Sequence, residues 1–498
     1  MKHPVSPLLK TDTLRRLLPP LAAVLACILV TIVYVASFWQ GDALAYPLEY
    51  PVDEYDPYVQ QFDALQKGQW HIDCAPSDEL MQLENPYDPA QRENVEFVYD
   101  LAYYDGAYYS YFGTVPIFTV MYPYYWLTGD LPHPLVVQTV FLLLFAVCMP
   151  LAVYTLGQRL FASVPPAWLS VVAFSATVSS LQLLQGRGDG AFYYIASTSG
   201  MAFLALFVLL LFQGVFAERG RTRGVWFLLA GAAFALCLHS RVMTAFSALF
   251  FLVPTILFGI VLKKENGKIP WKTVLGELGC LACFAVIGVA LALWLNHIRF
   301  GHPLEFGTRY QLTVADPSTY RLNFRELSYA LYYYFFAPLG TNQDTGFLDM
   351  QYGEIGKLGR FLYVDAHFGL LVIPFLWLML LIPVTAAVKT KNRAFGVTAL
   401  SAFFGTFVMA WMDFCLGGVI FRYLCDLSVT VAVLAALGAC WVIETVHACR
   451  RPFWRYGGYA AFGIFLLFSL WKTARLMAVD NYNLWSMSPD SLFFQLFS

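Results

Sequence analysis

The run LLPPLAAVLACILVTIVYVASFW fills residues 17–39 and holds no charged side chain. At about 1.5 Å of rise per residue, a helix of this length crosses the roughly 30 Å hydrocarbon core of a bilayer. The run is too long for the apolar part of a signal peptide, and no small-residue cleavage site clearly follows it. Lys2, Lys10, Arg15 and Arg16 precede it, so it predicts a first membrane span with a cytoplasmic N-terminus.

The rest of the composition extends this prediction to the whole chain. Of 498 residues, 59% are hydrophobic and only 13% are charged, whereas soluble domains carry about 25% charged residues. The sequence therefore predicts an all-α polytopic membrane protein, a single membrane-embedded domain over residues 1–498 that contacts membrane lipids. Its predicted spans number about eleven: 17–39, 134–157, 165–185, 191–214, 225–240, 243–262, 274–296, 368–388, 395–416, 427–448 and 457–476.

Sidedness depends on the short apolar piece from Val115 to Leu127, which contains Pro116 and Pro123 and so disfavours a regular span. If this piece stays at the outer interface, all the later basic loops fall on the cytoplasmic side, as the positive-inside rule requires. Those loops are 218–224, 263–272, 389–393 and 450–455. Residues 40–133 and 297–367 are then two large outer loops, and the predicted location is the plasma membrane.

The first outer loop opens with an acidic cluster, Tyr50-Pro-Val-Asp-Glu-Tyr-Asp-Pro57. Asp53, Glu54 and Asp56 stand directly ahead of a segment with helical spacing of apolar residues, which predicts an amphipathic helix at the membrane interface. One interpretation is a solvated start to a polar loop. The other is a catalytic site, because an ionised carboxylate can take the proton from an acceptor hydroxyl.

Metal and cysteine patterns are weak. The eight histidines are scattered without the spacing of metal ligands, so no structural metal site is predicted. The sequence leaves open whether the first-loop acidic cluster binds a divalent ion. Cys280 and Cys283 have metal or redox spacing but fall inside a predicted span, where helix packing is the simpler explanation. The net charge of −2 gives no reason to expect a nucleic-acid partner.

Several short motifs resemble one family in their order and sidedness. They are Asp53-Glu54 or Glu54-Tyr-Asp56, Gly68, Tyr103 to Gly113 with Pro116, Arg299 to Gly307, and Phe421-Arg-Tyr-Leu-Cys-Asp426. Together they make the chain similar to the GT-C class of polytopic glycosyltransferases. The resemblance is to bacterial relatives of protein mannosyltransferases and of the lipid A aminoarabinose transferases, which carry an acidic motif early in the first outer loop.

The resemblance implies a polyprenyl-phosphate-linked sugar as donor and a glycan, lipid or protein as acceptor, with transfer at the outer membrane face. The first-loop acids Asp53, Glu54 and Asp56 would then be catalytic, with Asp53 preferred as general base in an inverting reaction. The departing lipid phosphate gathers negative charge and needs cations beside it.

Arg241, Arg187 and Arg422 are the arginines at the outer ends of spans that could supply those cations. The alternative for each is a side chain that only reaches the lipid head groups, and Asp189 and Asp426 could pair with these arginines. Asp105, with neighbouring tyrosines such as Tyr109, is an acceptor-side candidate. Those tyrosines could equally anchor the loop at the interface.

Two other functions compete with this prediction. A polymerase or ligase of lipid-linked glycans also has many spans, but the acidic cluster in the first loop argues against it. A non-enzymatic lipid or ion transporter would place charges near the middle of the membrane, often in repeated halves. The sequence gathers its charges at the ends of spans and shows no repeat, which favours an interfacial active site. The sugar and the acceptor stay open.

Overall fold

The computed structural model describes residues 7–38, 45–46, 56–181, 192–218, 220–262, 267–338, 364–365, 368–388 and 393–479. Within these residues, nine helices are long and apolar enough to cross a membrane. They are α1 (Pro7–Phe38), α5 (Pro134–Leu160), α7 (Tyr193–Phe216), α8 (Arg221–Ser240), α9 (Val242–Pro254, continued by a π-helix, Thr255–Val261), α10 (Trp271–Phe300), α13 (Arg393–Gly417), α14 (Cys425–His447) and α15 (Pro452–Val479).

Two shorter apolar segments complete the bundle. One is α6 (Pro166–Leu181), and the other is a 3-10 helix, Pro374–Leu381, that continues into α12 (Ile382–Val388). Each predicted span thus coincides with a helix, and the predicted all-α polytopic membrane fold is confirmed. The proposed break near residue 241 is also present, because α8 ends at Ser240 and α9 begins at Val242.

The piece from Val115 to Leu127 does not form a spanning helix. It folds into a five-residue π-helix, Ile117–Met121, followed by α4 (Tyr122–Thr128), which ends at Gly129 in a left-handed conformation with φ of 83°. Trp126 is 74% exposed. Twelve helical residues extend about 18 Å, well short of the bilayer core.

Helix α14 occupies the centre of the bundle and is buried along most of its length. It packs against α5, α6, α7, α9, α13 and α15, and against the 3-10 helix at 374–381. Gly438 permits the last contact, because a Cβ atom at this position would overlap the carbonyl of Leu378. The bundle therefore closes around α14, whose first turn stands at the functional site described below.

The described parts of the two large loops pack together over one end of the bundle, and we call residues 68–114 and 301–326 the cap. Its main secondary structure is a hairpin of β2 (Ala102–Tyr104) and β3 (Ala107–Tyr109). The two loops are joined by backbone hydrogen bonds, from Asp100 N to Leu312 O at 2.8 Å and from Leu312 N to Leu101 O at 3.0 Å.

The remaining elements are short. The strand pairs are β1 (Ala45–Tyr46) with β4 (Leu131–Pro132), antiparallel, and β5 (Val364–Asp365) with β6 (Val419–Ile420), parallel. The helices are α2 (Pro57–Gln66), α3 (Asp78–Met81) and α11 (Leu327–Leu331), with a π-helix at Tyr332–Phe336 and 3-10 turns at Thr308–Tyr310, Pro317–Thr319, Phe324–Glu326, Leu370–Val372 and Phe421–Leu424.

Helix α2 follows the acidic cluster as predicted, but protein covers it on more than its apolar side. The side chains of Gln60 and Gln61 are each only 2% exposed. Its ring contacts are with the first loop, since Phe62 lies 4.7 Å from Tyr122 between ring centroids. The helix is thus enclosed between the bundle and the first loop.

Candidate functional site

A cavity of about 820 Å³ lies between the cap and the end of the bundle. Its walls come from the first turns of α7 and α9, from the 3-10 turn Phe421–Leu424 that leads into α14, and from the last turns of α8, α10 and α13. Its roof comes from residues 99–114 and 304–320 of the cap. Six membrane-spanning helices therefore end at one cavity, which places a polar site at the boundary of the apolar bundle.

Gly113 holds the roof close to the bundle. A Cβ atom at this position would overlap the backbone carbonyl oxygens of His239 and Ser240, at the end of α8. Only a residue without a side chain fits at this approach. His239 is itself fixed from the other side, because its Nε2 lies 2.8 Å from the carbonyl of Gly288 on α10.

Arg241 lines the cavity, but its guanidinium is already paired. Its Nε donates to both carboxylate oxygens of Asp426, at 2.7 and 2.9 Å, and its Nη2 donates to Oδ2 at 2.7 Å. Thr244 donates a further hydrogen bond to Oδ1 of the same carboxylate. This arrangement joins the α8–α9 break to the first turn of α14, and it neutralises the charge of Arg241.

Arg422 lies in the same wall, but its guanidinium contacts aromatic rings where that of Arg241 contacts a carboxylate. Its guanidinium lies over the ring of Tyr193 at 4.3 Å from the centroid and near the ring of Tyr423 at 5.6 Å. No carboxylate of the described residues forms an ion pair with it. Arg187, the third predicted phosphate ligand, lies outside the described residues.

Arg299 was not singled out from the sequence as a phosphate ligand, yet it also lines the cavity. Its guanidinium donates only to neutral acceptors: the carbonyls of Ser110 at 3.1 Å and Leu295 at 3.2 Å, and the side-chain oxygen of Asn296 at 3.2 Å. It makes no ion pair within the described part of the chain. Arg422 and Arg299 are therefore cavity cations whose charges the described carboxylates leave unpaired.

Asp100 is a cavity residue that the sequence alone did not indicate. It is 6% exposed and has a φ of 61°. Its Oδ1 accepts hydrogen bonds from the Tyr111 hydroxyl and from Nε2 of Gln311, both at 3.1 Å. Burial raises the pKa of this carboxyl, against hydrogen bonds and the charge of Arg422, which lower it. Its positive φ and its burial depend on the fold, so no local pattern marks it.

Asp105, the acid predicted in the same stretch, lies at the tip of the hairpin. It is exposed, and it forms the turn with Gly106 at φ values of 50° and 72°. Two successive positive φ angles are the geometry of a tight type I′ turn, for which Asp-Gly is a preferred pair. Tyr109 packs on Phe300 at 5.4 Å between centroids. Neither Asp105 nor Tyr109 lines the cavity.

Asp413 is a second missed acid in the cavity wall. It sits on α13, is 4% exposed, and its Oδ2 makes no hydrogen bond with any described residue. A single acid inside an apolar span is costly and often functional. Asp413 could therefore have been identified from the sequence, as a lone acid within an apolar run.

Asp56 caps α2 rather than facing the cavity. Its Oδ1 accepts hydrogen bonds from the backbone N–H groups of Tyr58 at 2.9 Å and Val59 at 3.4 Å. Burial raises the pKa of the Asp56 carboxyl to about 6, while the two N–H groups act in the opposite direction. Tyr58 packs on the cavity residue Phe112 with centroids 5.4 Å apart, so Asp56 lies behind the wall. Asp53 and Glu54 lie outside the described residues.

Metal ligation was tested on the part of the chain that the structure describes. No three His, Cys, Asp or Glu side chains there are grouped so that they could hold a metal ion. Asp56 is the one described member of the predicted acidic cluster, and its Oδ1 is occupied by the helix cap. The described residues alone therefore do not build a metal site.

No protein-family model matches the chain, and no curated protein matches its sequence. Among solved structures, similarity is found to the Archaeoglobus fulgidus oligosaccharyltransferase in the apo form, at 12% identity and a TM-score of 0.48, over 96% of this chain and 59% of that one. The archaeal oligosaccharyltransferase AglB from the same organism, in complex with an inhibitory peptide and a dolichol-phosphate, gives 14% identity and a TM-score of 0.43 over the same shares. The chain thus spans less than two thirds of the length of these proteins, and similarity at this level gives no information on what it binds or does.

Proposed function

We propose that this protein is a membrane glycosyltransferase that moves a sugar from a polyprenyl-phosphate-linked donor to a hydroxyl group of a glycan, lipid or protein acceptor. The observation that carries the proposal is the cavity itself, about 820 Å³ in volume, at the ends of six spanning helices. This volume lies within the range of about 300–1,000 Å³ that small-molecule sites occupy. An amphiphilic substrate could enter such a space from the bilayer while its polar head stays in the polar part.

The phosphate of the donor is assigned to Arg422, with Arg299 as a second cation. Both line the cavity and neither is paired with a described carboxylate. A guanidinium presents a fork of donors that matches phosphate oxygens, and its charge favours a leaving phosphate. Arg241, which was also predicted for this role, is already paired with Asp426. We therefore assign Arg241 to holding the wall rather than to the phosphate.

The reaction needs one base. A carboxylate removes the proton from the acceptor, the freed electron pair attacks the anomeric carbon, and the bond from that carbon to the phosphate oxygen breaks. Polyprenyl phosphate leaves with the bonding electrons, and the configuration at the anomeric carbon inverts. Asp53 is our choice for the base, with Glu54 and Asp56 beside it in sequence, and Asp100 is the alternative because it reaches the cavity. A divalent ion held by the acidic cluster is also proposed, but no step is assigned to it.

The proposed location is the outer face of the plasma membrane. Helices α8, α10 and α13 end at the cavity, and they begin near Arg221, Lys272 and Arg393. Basic residues gather on the cytoplasmic side of membrane proteins, and this supports a cavity on the outer side. Cysteine labelling on a Cys-free background tests this orientation: a cysteine at position 316 should react with an impermeant reagent, and one at position 221 should not. The reverse pattern would overturn it.

The catalytic proposal is tested with purified protein in lipid nanodiscs and a panel of polyprenyl-phosphate hexoses and pentoses, each combined with glycan, lipid and peptide acceptors, because transfer needs an acceptor for the sugar. Release of polyprenyl phosphate is measured for the wild type and for Asp53→Asn, Glu54→Gln, Asp56→Asn and Asp100→Asn. Asp130→Asn serves as the matched control, because Asp130 is exposed and lies outside the cavity. We expect loss of release in Asp53→Asn with donor binding retained. Loss only in Asp100→Asn would move the base to the cap, and retained release in all four variants would reject the site.

A further inference from the structure

Asp413 lines the cavity with a buried carboxyl group whose Oδ2 has no hydrogen-bond partner among the described residues. It lies on α13, four residues before the helix ends at Gly417, and only 4% of its surface is exposed. A buried carboxylate oxygen without a partner carries a large desolvation cost. Such a group in a folded protein calls for an explanation, and one explanation is a ligand that supplies the donor.

The neighbouring cation does not supply the missing partner. Arg241 donates hydrogen bonds from Nε and Nη2 to Asp426, and Thr244 donates a further hydrogen bond to the same carboxylate. Asp426 is thus neutralised and well partnered, while the second acid in the same wall has one oxygen unused. No described donor, Arg241 included, forms a hydrogen bond with Oδ2 of Asp413. The group lacks a hydrogen-bond donor among the described residues, and a ligand in the cavity would supply one.

We propose that Asp413 binds the sugar of the donor by accepting a hydrogen bond from a ring substituent, a hydroxyl or an amine. This inference rests on the proposed function and adds a residue that selects the sugar. A carboxyl oxygen without a partner favours a sugar substituent that donates a hydrogen bond, and it gains nothing from a sugar that lacks that substituent. Sites that hydrogen-bond a substrate hydroxyl discriminate strongly against the analogue without it, since the buried partner is then left unpaired.

The test compares sugars as well as variants. Donor turnover is measured for polyprenyl-phosphate hexoses that carry all hydroxyls, for the single-deoxy analogue at each ring position, and for the amino analogues. The proteins are the wild type, Asp413→Asn and Asp413→Ala, with Asp130→Asn as control. We expect one deoxy analogue to lose about 10- to 150-fold in kcat/KM with the wild type. That ratio should fall towards one in Asp413→Ala, while binding of polyprenyl phosphate without a sugar stays unchanged. A preference for the amino analogue would identify an ammonium as the partner, and a preference for the full set of hydroxyls would identify a hydroxyl.

A second measurement uses the wild-type chain, so it does not depend on how well the variants fold. Dicyclohexylcarbodiimide is an apolar reagent that modifies carboxyl groups in membrane interiors, and mass spectrometry locates the modified residue. The polyprenyl-phosphate sugar that turns over fastest should protect Asp413, and polyprenyl phosphate alone should protect it less.

The outcomes separate the inference from the function on which it rests. If the wild type turns over donors but every variant loses the same factor with every sugar, Asp413 only shapes the wall and the inference is wrong. Equal modification with and without the sugar would contradict it in the same way. If the wild type turns over no polyprenyl-phosphate sugar in the panel, the proposed function fails first and the inference fails with it.

Discussion

Arg241 and Asp426 stand 185 positions apart in the chain and form a forked ion pair in which two guanidinium nitrogens contact both carboxylate oxygens. The Asp426 side chain has no exposed surface and that of Arg241 is 16% exposed. The pair links the α8–α9 break to the first turn of the central helix. One of the arginines that seemed free to bind phosphate is therefore part of the framework.

The first prediction follows from this pair. Arg241→Ala leaves the Asp426 charge buried without its partner, and breaking a buried pair in this way costs about 3–5 kcal/mol. We expect a lower melting temperature in detergent and less protein in the membrane. The double variant Arg241→Met with Asp426→Leu should recover part of this loss, because it removes both charges of the pair. Arg475→Ala, which removes an exposed arginine, is the control, and a loss in Arg241→Ala no larger than in this control would contradict the assignment.

The second prediction concerns Arg422, whose charge is unpaired within the described residues. Removing one charged partner of a phosphate costs about 1.5–3 kcal/mol, hence a tenfold or greater rise in the apparent Kd for polyprenyl phosphate. Arg422→Lys should lie between the wild type and Arg422→Ala, because it keeps the charge without the fork. Binding is measured by tryptophan fluorescence in nanodiscs, with Arg475→Lys as the matched control. Unchanged binding in Arg422→Ala would leave this arginine a stacking partner of Tyr193 and no more.

The third prediction is a pH dependence of stability. Burial raises the pKa of Asp56 to about 6, above the value of about 3.9 in an unfolded chain. Below about pH 4 the carboxyl is protonated in both states and its stabilisation is full, and this stabilisation is lost as the pH rises through about 6. Asp56→Asn removes the titrating group and keeps an effective helix cap. Between about pH 4 and pH 7 the wild type should therefore lose up to about 2–3 kcal/mol relative to this variant.

Melting temperatures of both proteins across that pH range make the comparison. A difference between wild type and Asp56→Asn that stays constant from acid to neutral pH would contradict the raised pKa. Asp56→Ala is informative beside it, because it removes the cap as well. It should lose about a further 1 kcal/mol at every pH.

The fourth prediction concerns the approach of the cap to the bundle at Gly113. Gly113→Ala would force the first loop away from the carbonyls of His239 and Ser240. We expect faster proteolysis of the cap and a loss of donor turnover of tenfold or more, because the roof of the cavity moves. Gly279→Ala is the control, since a Cβ there meets nothing within 4 Å and alanine favours a helix. Equal protease resistance in both variants would show that this contact does not hold the cap.

The fold could be predicted from the sequence, while much of the cavity could not. A membrane helix needs about twenty apolar residues in succession, so a contiguous stretch of sequence is enough to identify each span. The break at Arg241 is likewise marked by a short polar interruption in an apolar run. The cavity depends on contacts that are distant in sequence. Asp100 reaches it because its backbone pairs with Leu312, and the pairing of Arg241 with Asp426 is equally non-local.

The local sequence also explains why Asp105 is exposed and does not line the cavity. The Asp105-Gly106 pair between runs of tyrosines is a signal for a tight hairpin turn, and it places Asp105 at the exposed tip. Asp100, five residues earlier, bears no such signal and lies in the roof of the cavity. Asp413 is a lone acid in an apolar run, which is a local signal, but the missing partner of its Oδ2 depends on how the neighbouring helices pack.

The central claim is that this chain consumes a polyprenyl-phosphate-linked sugar. The most direct measurement is mass spectrometry of the lipid-linked sugars in membranes of cells that lack the protein, and of the same cells supplied with wild type, Arg422→Ala or the control Arg475→Ala. We expect one polyprenyl-phosphate sugar to accumulate without the protein, to return to its normal level with wild type and the control, and to stay high with Arg422→Ala. Identical levels of every lipid-linked sugar with and without the protein would contradict the claim.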